Sequence, residues 1–130
     1  MGAGVDNLNR IVAFGASNGD SPVGAGGFIY TATGGRRGSI ATKHFAVNGF
    51  AWCADALARL YSIGGSGKTG VERYSGSSNS WTVLAPLPVA RTRAAAVYDG
   101  RGRILVVGGG DALVFAYDIA ADSWTQLSNA

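Results

Sequence analysis

Apolar residues fall in short runs along this chain, each closed by glycine or by a small polar turn. No window of useful length keeps a helical period of 3.6 residues without a glycine interrupting it. The pattern is clearest in the last third. Residues 92–98 predict an apolar strand, and Asp99-Gly100-Arg101-Gly102 has hairpin chemistry, because Asp and Gly accept the positive φ that a tight turn demands. Residues 103–107, 113–118 and 123–127 predict three more strands, with Ile119-Ala120-Ala121-Asp122 as the turn between the last two. Four short strands separated by turns argue for an all-β array.

The array repeats. Asp55, Arg59 and the pair Gly64-Gly65 recur as Asp99, Arg103 and Gly108-Gly109 at an offset of 44. Beyond the glycines the offset becomes 43 and carries Tyr74 onto Tyr117, Asn79 onto Asp122 and Trp81 onto Trp124. A third copy is fainter: Asp6, Arg10 and residues 11–15 match Asp55, Arg59 and residues 60–64 at an offset of 49. Its second half lacks the pattern. Tyr30 can stand for Tyr74, but Arg37 follows seven residues later where the other copies have Trp, and a short strand over 28–31 is flanked by glycine-rich turns.

An apolar strand ending in a double glycine, then a Tyr, then a Trp about seven residues on, then Leu84-Ala85-Pro86-Leu87-Pro88, resembles the Kelch repeat. The spacing also suits WD40 repeats, but none of Trp52, Trp81 and Trp124 is followed by Asp. Resemblance to Kelch implies an all-β fold, a partial β-propeller of about three antiparallel blades. We read 1–130 as a single domain holding a degenerate blade at 5–42 and further blades at 44–88 and 89–130. Gly64, Gly65, Tyr74, Trp81, Gly108, Gly109, Tyr117 and Trp124 are then structural: glycine permits close backbone approach, and large aromatics fill the space between thin blades.

Composition agrees. The chain is 47% apolar and only 15% charged, with 21 glycines and no Gly-X-Y period, which argues against disorder and for many tight turns. A net charge of +3 without a concentrated basic stripe argues against nucleic acid as a partner. The single cysteine, Cys53, excludes an intrachain disulfide framework and reads as a small buried residue on a strand. No stretch is long and apolar enough for a membrane helix, and residues 1–10 lack the features of a secretory leader, so a cytoplasmic location is expected.

A closed propeller takes at least four blades. Only Gly2 to Val5 precede Asp6, so the chain reads as starting at the second strand of a blade and supplying fewer than three. Self-association or a longer parent chain is the expected remedy for the exposed faces.

Candidate chemistry is sparse. Gly64-Gly65-Ser66-Gly67-Lys68-Thr69 ends like a phosphate-binding loop, but Ser62 stands where the motif needs glycine, and Ser75-Gly76-Ser77-Ser78 soon breaks any helix. His44 is the one histidine and reads as a loop residue. Asn18-Gly19-Asp20 has hairpin chemistry and lacks the ligand series of a calcium loop. Asp111 and Asp118 share a blade, as a glycosidase pair would, yet both suit turns or strand ends. No cofactor is implied.

In Kelch propellers an arginine at the crossing between blades often faces the central opening, which implies a ligand-binding role for Arg93. Arg91 lies in the same crossing, and Arg36 and Arg37 in the loop region of the first copy are the remaining candidates. The expected function is a non-enzymatic interaction module binding a protein, peptide or glycan. The alternative is part of a Kelch-fold carbohydrate-active enzyme of the oxidase or sialic acid mutarotase type, a likeness that rests on the repeat alone.

Overall fold

The computed structural model describes residues 2–16, 24–31 and 35–127. They form twelve strands: β1 (Gly2–Val5), β2 (Ile11–Ala16), β3 (Gly26–Thr31), β4 (Gly35–Ser39), β5 (Ala51–Ala54), β6 (Leu60–Ile63), β7 (Val71–Ser75), β8 (Ser80–Val83), β9 (Ala95–Tyr98), β10 (Arg103–Val107), β11 (Val114–Asp118) and β12 (Ser123–Leu127). Consecutive strands pair antiparallel into three four-stranded sheets, β1 to β4, β5 to β8 and β9 to β12. Their first strands are neighbours, β1 beside β5 and β5 beside β9, so the sheets fan out from that side as propeller blades do.

Two sequence expectations need correction. The chain does not start at a second strand: β1 pairs with β2 from Gly2 opposite Phe14 to Val5 opposite Ile11, which makes the first sheet complete. Three four-stranded blades are therefore present. The apolar strand expected at 92–98 is also shorter, because residues 91–94 are spent on the crossing from the second blade and pairing begins at Ala95.

The blades are joined by two apolar seams. Val12, Phe14, Phe50, Leu60, Tyr74 and Trp81 fill the seam between the first and second. Cys53, Tyr61, Ile63, Ile104, Val106 and Tyr117 fill that between the second and third. Burial of each such side chain is worth roughly 1.5–3 kcal/mol, and aromatic contacts such as Phe14–Trp81 at 5.6 Å and Tyr61–Tyr117 at 6.5 Å add to it. Cys53 is buried on β5, as expected, and burial pushes its thiol up to about 12.

The repeated residues have repeated work. The Trp81 indole N–H donates to the Ala41 carbonyl at 2.9 Å, and that of Trp124 to the Ala85 carbonyl at 2.8 Å. The Tyr74 hydroxyl donates to Asn79 Oδ1, which also accepts the Ala41 N–H. Tyr117, Asp122 and the Ala85 N–H repeat that arrangement. Asn79 and Asp122 both hold positive φ in their turns, a conformation Asn and Asp tolerate better than most residues. In every blade the first turn is held by an aspartate that accepts two backbone N–H groups and the side chain of an arginine four residues on: Asp6 with Arg10, Asp55 with Arg59, Asp99 with Arg103.

The double glycine works through close approach. Gly64 and Gly65 both have positive φ, and a Cβ on Gly65 would stand 2.8 Å from the Asn48 carbonyl. A Cβ on Gly64 would stand 2.7 Å from the Arg91 carbonyl, which accepts the Gly65 N–H at 2.7 Å and ties the second blade to the chain that leaves it. The first blade departs from this plan where the repeat fades. Tyr30 pairs across the sheet with Arg36 after a register shift at Ile29, whereas Tyr74 pairs with Trp81 and Tyr117 with Trp124. Arg36, and not Arg37, therefore takes the Trp position.

Candidate ligand face

Antiparallel blades put the blade-to-blade crossings and the loops between second and third strands at one end of the strands. Residues 40–50 and 84–94 make the crossings, and residues 64–70 make the β6–β7 loop. Side chains knit these segments together: Ser66 Oγ accepts the Asn48 N–H at 2.9 Å, and Thr92 Oγ1 accepts the Gly67 N–H at 2.7 Å. The glycine-lysine-threonine run that resembles a phosphate loop leads directly into strand β7. It has no helix terminus to offer a phosphate.

The four candidate arginines have different surroundings. Arg93 is exposed, has φ +61°, and donates its N–H to the Gly49 carbonyl at 2.7 Å. Its Cγ lies 3.4 Å from where a Gly49 Cβ would stand, so the glycine at the equivalent crossing makes room for it. Arg91 is only 3% exposed; its guanidinium pairs with Asp111 at 2.7 Å and lies 5.2 Å over the Phe115 ring. The Leu113 N–H, with help from Arg91, holds the Asp111 carboxyl below its ordinary range. Arg36 and Arg37 lie on β4, and their side chains are outside the described residues, as is the whole of Asn18-Gly19-Asp20.

Beside Arg93, Gly49, Phe50, Trp52 and Ala94 to Ala96 line a hollow of about 460 Å³ between the first strands of the second and third blades. The Trp52 ring, 40% exposed, lies on the opposite face of β5, edge-on to Phe14 of the first blade at 6.2 Å.

A polar cluster that the sequence reading missed lies in the first crossing. Glu72 is fully buried on β7 and accepts the backbone N–H groups of His44 at 2.8 Å and Phe45 at 3.0 Å. The His44 ring, half exposed, contacts the same carboxylate at 3.2 Å. Lys43 is buried alongside, with its ammonium 4.0 Å above the Phe50 ring. Burial pulls its pKa down to about 8 against the opposing pull of Glu72. At the corresponding places of the next blade stand Leu87 and Phe115, so no repeat signal could have found the pair.

No family model matches the chain. Kelch-like protein 35 of Mus musculus is 39% identical over 92 residues, which cover 66% of this chain and 14% of that protein. Its Homo sapiens counterpart is 43% identical over 65 residues, covering 50% of this chain and 9% of that one. Among solved structures, a fungal alcohol oxidase of the AA5 family in complex with copper superposes with a TM-score of 0.74 over 95% of this chain. The blades are Kelch repeats. The chain spans 14% or less of these two Kelch-like proteins and 29% of the oxidase chain, which is 23% identical and shares its fold. Copper belongs to that oxidase: among the described residues here, no three His, Cys, Asp or Glu side chains gather where they could hold a metal.

Proposed function

We propose that this Kelch array is a non-enzymatic interaction module that takes an acidic segment of a protein partner at the face carrying Arg93. The observation that carries this reading is the setting of Arg93. Arg93 is exposed, its backbone is held in a left-handed conformation by Gly49, and the adjoining hollow is bordered by the small side chains of Ala94 to Ala96. An exposed guanidinium beside a hollow bordered by alanines suits a carboxylate followed by a small apolar residue. Peptides selected from a displayed random library against the purified chain should be rich in Asp or Glu. Arg93→Glu should weaken them at least tenfold with the thermal midpoint unchanged; equal capture by the reversed charge sinks the proposal.

The outward blade faces belong to the same reading. Val5 and Ile11, paired across the first blade, are 47% and 46% exposed, and Val97 and Val107 on the far side of the third are 55% and 37% exposed. We take these faces to be covered by further blades, from a longer parent chain or from a second copy. Light scattering on the isolated chain decides this point: a stable monomer with a single cooperative unfolding transition argues against it.

A further inference from the structure

The end of the strands away from Arg93 carries the first and third turns of each blade, and the two blade junctions differ there. At the first junction the turns are zipped shut. Asn7 Nδ2 donates to the hydroxyls of Ser75 and Ser77, both at 3.2 Å, and Asn7 Oδ1 accepts the Ser77 N–H at 3.0 Å. Arg10 reaches the Gly76 carbonyl at 3.3 Å, and a Cβ on Gly76 would overlap the Asp6 carboxylate.

At the second junction the aspartate and arginine recur as Asp55 and Arg59, but the zipper residues are replaced. The repeat offsets put Ala56 at the place of Asn7, Ile119 at that of Gly76 and Ala120 at that of Ser77. The zipper has lost its amide and its hydroxyl, and a branched side chain stands where only glycine closes the gap. A cavity of about 650 Å³ remains, bordered among others by Asp55, Arg59, Arg73, Tyr98, Arg101 and Asp118.

Its charge is unbalanced. Asp55 is satisfied by Arg59 at 2.8 Å and by the Tyr61 hydroxyl at 2.7 Å. Arg73 leans on the Tyr61 ring at 5.9 Å, and Arg101 sits in an exposed turn. No ion pair joins either of them to a carboxylate among the described residues. Asp118 is the one remaining carboxylate, and its Oδ1 accepts the Ala121 N–H at 3.0 Å. Tyr98 Oη accepts the Gly102 N–H at 3.2 Å, which leaves its own hydroxyl proton to donate.

We infer that this cavity is a second ligand site, taking the carboxylate or phosphate of a small molecule between the second and third blades. Guanidinium forks match either oxyanion, and the partly desolvated cleft strengthens the match. Arg73 and Arg101 bind the anion, and Tyr98 donates the third hydrogen bond. The site is independent of the face proposed for peptides.

Calorimetric titration of the intact chain with inorganic phosphate and with succinate tests it. One of the two, or both, should saturate a single site; phosphate alone assigns a phosphate ester and succinate alone a carboxylic acid. Arg101→Gln, in an exposed turn, should weaken binding at least tenfold, as should Arg73→Gln, while Arg93→Glu leaves it unchanged. The triple change Ala56→Asn, Ile119→Gly, Ala120→Ser rebuilds the zipper of the first junction and should abolish binding with the chain still folded. Saturation by neither anion, or undiminished binding by folded Arg101→Gln, overturns the inference.

Discussion

The indole N–H of Trp81 ends on the carbonyl oxygen of Ala41, 2.9 Å away and in the preceding blade's exit segment. The bond crosses a seam, so its loss weakens the joint between blades more than either blade itself. Trp81→Phe keeps most of the ring and removes the donor; it should cost about 1 kcal/mol, whereas Trp81→Ala should cost roughly 3–5 kcal/mol. Urea titrations of the two variants give both values, and no loss in Trp81→Phe would show that the hydrogen bond contributes nothing.

Asp55 should make the chain acid-sensitive. Burial raises its pKa, but hydrogen bonds from Tyr61 and Arg59 outweigh burial and hold it below the ordinary value near 3.8. The folded state thus prefers the carboxylate, so this stability is complete above pH 3.8 and is lost as pH falls through the folded pKa. Asp55→Asn should cost roughly 2–4 kcal/mol at pH 7, with the difference shrinking in acid. Thermal midpoints of parent and variant between pH 2.5 and 7 should converge at the low end.

Two glycines in one loop should respond differently to alanine. Gly65 has φ +98°, and an added Cβ would meet the Asn48 carbonyl at 2.8 Å and the Phe50 nitrogen at 3.0 Å, whereas Gly67 at φ +68° has open space around it. Gly67→Ala meets only the backbone preference and should cost about 1 kcal/mol; Gly65→Ala adds overlap with backbone atoms and should cost about 3 kcal/mol or more. Similar losses in chemical denaturation would mean that close approach at Gly65 is unimportant.

Lys43 should titrate near 8 in place of 10.5, because burial penalises its charged form. The unfolded chain then binds more protons than the folded one between these values, so stability rises with pH through that window. Tyr61 and Tyr117, held protonated beyond their ordinary 10 chiefly by burial, reverse the slope above pH 10. A carbon-detected titration of the Lys43 side chain reads the midpoint directly; a value near 10.5 contradicts the buried ammonium.

What was legible beforehand follows from what repeats. Asp55 with Arg59, the glycine pairs and the Tyr–Trp couples were readable because each answers a geometric demand met in more than one blade. The strand β1 was not, since Gly2 and Gly4 have little intrinsic preference for strands. Their smallness is tertiary in origin: a Cβ on Gly2 would lie 2.7 Å from the Phe14 ring and 2.8 Å from that of Trp52. Lys43 and Glu72 escaped notice for the opposite reason, being a local substitute for the Leu87 and Phe115 of the next blade. The candidate arginines were visible as residues, but burial separates Arg91, tied to Asp111, from exposed Arg93, and burial is not written in the chain.

The two indole bonds across the seams run backward along the chain. Trp81 finds its acceptor 40 residues earlier and Trp124 finds its own 39 residues earlier. During translation the carbonyl of each seam has thus left the ribosome well before the indole that seeks it. Each blade emerges to a docking surface already made, and the array can be laid down in order from its N-terminal side, one blade bracing the next.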